Sequence, residues 1–155
     1  MSSLRSSRVW ASKGVLVVAG AAVIFASAAA LAQFNPPPVP PNQRNVYLVR
    51  QDQSDCQNSN VPNTDGPNVG GFVTVVRGDD GNTQVKIALT GTRDTTYDFF
   101  LKCVRLLGDI KTGDEGVGMA QFSFRTNEAG NVFAFDSYPE GAPAGNKFQS
   151  AQVKF

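Results

Sequence analysis

The stretch FVTVVRGDDGNTQVKIALT, running from Phe72 to Thr90, reads as a β-hairpin. Phe72 to Arg77 is dense in β-branched residues. Thr83 to Thr90 alternates with period two, placing Val85, Ile87 and Leu89 on one face and Gln84, Lys86 and Thr90 on the other. Between them, Gly78-Asp79-Asp80-Gly81-Asn82 supplies the Gly and Asx residues that tolerate positive φ in a tight turn. A period of two excludes an amphipathic helix here, and it sets the reading of the rest of the chain.

The same period recurs outward from the hairpin. Asn45 to Gln51 predicts a first strand, with Val46 and Leu48 inward. In Thr96 to Arg105, Tyr97, Phe99, Leu101 and Cys103 share a face, which places Cys103 in the core layer of a strand. Gly118 to Thr126 turns Ala120, Phe122 and Phe124 inward, Asn131 to Ser137 carries Phe133 and Phe135, and Lys147 to Phe155 carries Ala151, Val153 and Phe155. The connections are a long polar loop from Asp52 to Asn68 containing Cys56, a polar loop from Leu106 to Gly116, a turn at Asn127-Glu128-Ala129-Gly130 and a loop from Tyr138 to Asn146. Seven short strands with frequent turn signals and no helix predict an all-β domain. A single antiparallel β-sandwich is the expected architecture, with a small barrel as the second choice.

The N-terminus follows a different pattern. Arg5, Arg8 and Lys13 precede an apolar or small run from Gly14 to Ala30, and Ala30-Leu31-Ala32 offers the small residues that a signal peptidase accepts. Residues 1–32 therefore read as a signal peptide cleaved before Gln33. The alternative is a retained membrane anchor, since Gly14 to Ala32 approaches the roughly 20 residues that span a bilayer. Residues 33–45, with Pro36-Pro37-Pro38-Val39-Pro40-Pro41, form a semi-rigid Pro-rich linker to a domain over residues 46–155. A secreted or periplasmic protein results. The Ala-rich signal and the lack of any Asn-x-Ser/Thr sequon point to a bacterial source.

Beyond residue 32 there are 11 basic and 13 acidic side chains, a net charge of −2. That balance, with charges scattered singly, predicts no nucleic-acid partner and no membrane contact after signal cleavage. The chain has no histidine, which removes Ser-His-Asp and Cys-His nucleophile activation and histidine-ligated metal centres. No cofactor is expected. The two cysteines, Cys56 and Cys103, most simply form one intramolecular disulfide in an exported domain; two free thiols or an intermolecular bridge are the alternatives. Closing a loop of this length is worth about 4 kcal/mol in the chain-entropy account.

Candidate chemistry rests on carboxylates. Asp79, Asp80 and Asn82 offer oxygen ligands, as do Asp109, Asp114 and Glu115, but the spacing is not that of a calcium loop and a turn explains the first set. Glycoside hydrolysis needs two carboxyls about 5 to 9.5 Å apart, and no pair stands out. Asp136 and Tyr138 near Phe133 and Phe135 hint at a sugar-binding surface, against the plainer reading of core phenylalanines and a strand end. Phe34, beside the linker, is a candidate for docking on a partner.

Val85 to Phe99, through Leu89-Thr90-Gly91 and Thr95-Thr96-Tyr97, resembles fibronectin type III and related immunoglobulin-like modules over about 15 residues. The resemblance implies an immunoglobulin-like sandwich and a structural corner at Tyr97, whose hydroxyl would tie back to upstream backbone. It also implies a function in binding, adhesion or spacing. The expected function is thus a non-catalytic exported module, its loops contacting an extracellular or envelope protein or glycan. The alternative is a small carboxylate-dependent enzyme or inhibitor acting on polysaccharide or envelope material.

Overall fold

A computed structural model describes residues 37–141 and 147–155. The predicted signal peptide, Phe34 and part of the loop after Tyr138 lie outside them. The described chain is all-β and antiparallel. Its strands are β1 (Gln43–Arg50), β2 (Val69–Arg77), β3 (Asn82–Thr90), β4 (Thr96–Leu101), β5 (Arg105–Lys111), β6 (Val117–Arg125), β7 (Val132–Phe133), β8 (Phe135–Pro139), β9 (Phe148–Ser150) and β10 (Val153–Lys154). One helical turn, α1 (Thr126–Ala129), stands where a plain turn was expected.

The hairpin forms as its pattern predicts, with Val73 opposite Ile87 and Val75 opposite Val85. From it the sheet extends in the order β5-β4-β8-β9-β1-β2-β3-β6, while β7 and β10 make a separate ribbon. The expectation of about seven strands in two facing sheets is therefore corrected to one eight-stranded sheet, rolled until its ends nearly meet. At the seam, a Cβ at Gly108 of β5 would stand 2.6 Å from Cε1 of Phe122 on β6. A Cβ at Gly118 of β6 would stand 2.8 Å from Cγ2 of Ile110. Two bulges help the roll. Leu107 is left over between the pairs Phe99–Gly108 and Phe100–Leu106, and Gly70 between Leu48–Gly71 and Val49–Val69.

The rolled sheet encloses the inward residues of every long strand: Val46, Leu48, Val73, Val75, Val85, Ile87, Leu89, Tyr97, Phe99, Leu101, Ile110 and Phe124. Phe99 stacks on both Phe122 and Phe135, with centroids 5.4 and 5.1 Å away, so the aromatics fill the space between distant strands.

Four boundaries depart from the alternation, one of them in the strand expected over Asn131 to Ser137, where β7 pairs with β10 and only β8, running on to Pro139, joins the rolled sheet. The strand expected over Thr96 to Arg105 stops at Leu101, and residues 102–104 turn the chain. Cys103 sits in that turn, exposed and at φ 59°, and not in the core layer. The expected loop from Leu106 is instead β5, whose bulge at Leu107 breaks the period that would have shown it. Only residues 112–116 remain as the connection to β6. The expected last strand is divided, since β9 belongs to the rolled sheet and β10 leaves it to pair with β7.

Candidate functional site

On most strands burial alternates, but every residue from Phe133 to Ser137 and from Phe148 to Ala151 is buried. The outer face there is covered by the long loop after β1. Cys56 in that loop is bonded to Cys103 in the β4–β5 turn, with Cα atoms 5.5 Å apart. Around the bridge lies a polar layer. Gln53 and Gln149 bond reciprocally, the Gln53 amide donating to Oε1 (3.1 Å) and Gln149 Nε2 donating to the Gln53 carbonyl (3.0 Å). Asn58, fully buried, donates through Nδ2 to the Ser150 carbonyl at 3.0 Å.

Lys102, next to the bridge, is 6% exposed and runs beneath the loop. Its Nζ donates to the Gln53 carbonyl at 2.7 Å and to Asn58 Oδ1. Asp136 Oδ1 lies 3.6 Å away, too far for a good hydrogen bond, and has no hydrogen-bond partner among the described residues. Lys147 approaches the other oxygen of Asp136 at 3.7 Å. Burial pushes the Asp136 carboxyl up from its ordinary value, against the opposing pull of Lys102 and Lys147. Burial likewise pushes the Lys102 amine down, partly offset by Asp136. Both shifts favour the neutral forms. Outside this layer, Asp55 is held down to about 2 by the Ser59 hydroxyl and by the Gln57 and Ser59 amides.

Beside the covered layer the sheet opens into a recess of 260 Å³. Phe100 and Tyr138 stack in its wall with centroids 4.9 Å apart and planes 16° from parallel. Val104 (50% exposed) and Leu106 (46% exposed) form the rim, and Asp136 reaches its floor. Lys147 Nζ sits over the face of the Tyr138 ring, 5.0 Å from its centre. Arg105, also in the lining, is anchored to Glu128 at 2.7 Å. The recess thus joins apolar contact area to a few charged groups, the composition of a small binding site. A larger depression of 640 Å³ near Gly81, Arg125 and Asn131 is lined by turns and offers no aromatic wall.

Tyr97 is buried, and its hydroxyl accepts a hydrogen bond from the Thr92 amide at 2.7 Å. Gly91 makes room for it, because a Cβ there would stand 2.7 Å from Tyr97 Cζ. Asp80 is used by its own turn, accepting from the Asn82 amide (3.0 Å) and from Asn82 Nδ2 (2.8 Å). Among the described residues no three Asp, Glu, Cys or His side chains gather as a metal site. Asp109 faces Asp98 across β4 and β5. Burial, then the charges of Asp109 and Glu140, push the Asp98 carboxyl up. Phe133 and Phe135 are core, as the plainer reading had it, whereas Asp136 does more than end a strand.

Alternation alone does not show the recess, because Phe100 and Tyr138 come from strands that are not consecutive in the chain. It also misses an outer row running from Tyr47 through Phe72 (38% exposed) and Ala88 to Met119 (75% exposed), residues directly opposite one another on four strands. The chain matches no protein-family model and no curated protein sequence.

Proposed function

We propose that this chain is an exported, non-catalytic binding module that takes an extracellular or envelope protein or glycan at the recess beside the bonded loop. The observation that carries this reading is the half-buried Phe100–Tyr138 stack, which lines a recess with the exposed Val104 and Leu106. Aromatic rings give a partner large contact area at small entropic cost, and the nearby charges orient it. The loop between β1 and β2 serves as the support for this face. Much of its inner side is spent on Gln149, Ser150 and Lys102. The Tyr97–Thr92 bond supports a local likeness to the corner of immunoglobulin-like modules, and the basic, apolar and small-residue pattern of residues 1–32 supports bacterial export.

The alternative, carboxylate-dependent hydrolysis, would look to Asp98 and Asp109. These are directly opposed across β4 and β5 and lie outside the lining of the recess. The test of the binding reading uses the mature protein immobilised beside a Phe100→Ser/Tyr138→Ser variant. Each is challenged with host extracytoplasmic extract and with envelope glycan fragments. Retention by the wild-type protein and loss by the variant support the reading. Equal retention by both, or saturable turnover of a glycan, overturns it.

A further inference from the structure

Lys102 Nζ lies 2.5 Å from Oδ1 of Asn58, in a place closed to solvent. The amide C=O bond is about 1.2 Å long, so the Asn58 carbonyl carbon is within about 3.7 Å of the amine. Attack geometries begin at about 3 to 3.5 Å, a few tenths of an ångström away. Both groups are fixed from several sides. Asn58 is in the left-handed region at φ 50°, its backbone amide donates to Asp55 O (3.1 Å), its carbonyl accepts from the Val61 amide (3.0 Å), and Nδ2 is held by Ser150. The Lys102 amide donates to Ala134 O at 3.0 Å. The disulfide joins the residue two before Asn58 to the residue one after Lys102, so the two side chains are presented to each other by a covalent clamp. Such fixing replaces an encounter between free groups by a unimolecular step.

We infer that Lys102 and Asn58 become joined by an intramolecular amide bond, formed by the protein itself. Nζ of Lys102 bonds to Cγ of Asn58, the Cγ–Nδ2 bond breaks, and Nδ2 leaves as ammonia. Nζ gives up one proton beyond its neutral form and Nδ2 gains one, so the step needs no oxidant, metal or activated donor. Asp136, 3.6 Å from Nζ, is the group placed to give its carboxyl proton to the leaving nitrogen and to take in return the proton that Nζ loses.

The surroundings favour the charge states that the step requires. A free amine is the nucleophile, and burial lowers the cost of the neutral lysine. A protonated carboxyl is the donor, and burial favours that form of Asp136. The charged groups facing the pair are Lys147, 3.7 Å from Asp136, and Asp55, whose field on Lys102 is weak. The completed bond removes a buried ionisable amine and fastens the loop independently of the disulfide.

The experiment is the mass of the full chain as recovered from its host, after reduction and alkylation, together with tryptic mapping. The account expects a mass lower by about 17 Da than the sequence from the observed N-terminus, the loss of ammonia. It also expects a branched peptide linking Asn58 to Lys102, with no cleavage after Lys102. Lys102→Met and Asn58→Ala should restore the full mass, and Asp136→Asn should leave most molecules unlinked. Protection of both cysteines from alkylation before reduction shows that each variant has folded. Full mass in the disulfide-bonded wild-type protein overturns the inference. So does a 17 Da loss on an unbranched peptide, which would mean a succinimide at Asn58 alone. Complete linkage in Asp136→Asn would overturn the part given to Asp136.

Discussion

Gly108 and Phe122 close the rolled sheet between them: the glycine at φ 152° on β5 leaves the gap that the phenylalanine ring on β6 fills. Phe122 cannot easily retreat, since it stacks on Phe99 in the interior. Gly108→Ala therefore introduces both a clash and an unfavourable backbone angle. The expected loss is about 1 to 3 kcal/mol, read as a lower urea midpoint with an unchanged slope. An unaltered midpoint would mean that the seam is looser than the packing indicates.

Tyr97→Phe removes only the hydroxyl that accepts from the Thr92 amide. Loss of that bond at the partly buried corner should cost about 1 kcal/mol. Tyr97→Ala also empties a fully buried site and should cost about 3 to 5 kcal/mol. Thermal unfolding of the two variants separates the bond from the packing.

The Asp55 carboxylate titrates at about 2 because the Ser59 hydroxyl and two loop amides bond its ionised form. Its folded value lies below the ordinary aspartate value of 3.8, so its contribution is complete above that pH and is lost as pH falls through about 2. A side-chain carbon titration by NMR should give a midpoint near the lower value. Ser59→Ala should move it upward.

Reduction of the Cys56–Cys103 bridge in wild-type protein should leave the loop between β1 and β2 resistant to protease, because Lys102 still fastens it. Reduction of Lys102→Met should expose it, with nicking near the exposed stretch 62–68. Limited proteolysis with mass detection compares the two directly.

The strands that alternate cleanly were legible in the sequence, and the hairpin from Val69 to Thr90 most fully, because one face meets the core and the other meets water. Legibility ends where a third layer or a bulge intervenes. β8 and β9 are buried on both faces, so Asp136 and Gln149, which pair on the outer side, lie under the loop and not in solvent. β5 was hidden by the bulge at Leu107 and by Gly108-Asp109, which read as a turn. The turn at 102–104 has none of the usual turn residues, and the bridge to Cys56 holds Cys103 there. The two cysteines and Tyr97 were visible as residues. The recess was not, because Phe100 and Tyr138 meet only through the non-sequential pairing of β4 with β8.

The central claim is that a partner meets the face around Phe100 and Tyr138. The most direct measurement places a photo-activatable side chain at position 106, on the recess rim, and in a separate protein at position 119, in the outer row on β6 and outside the recess lining. Both are irradiated in the intact host. The account predicts a discrete adduct in the extracytoplasmic fraction from position 106 and none from position 119. Adducts from position 119 alone, or none from position 106 in correctly exported protein, would contradict it.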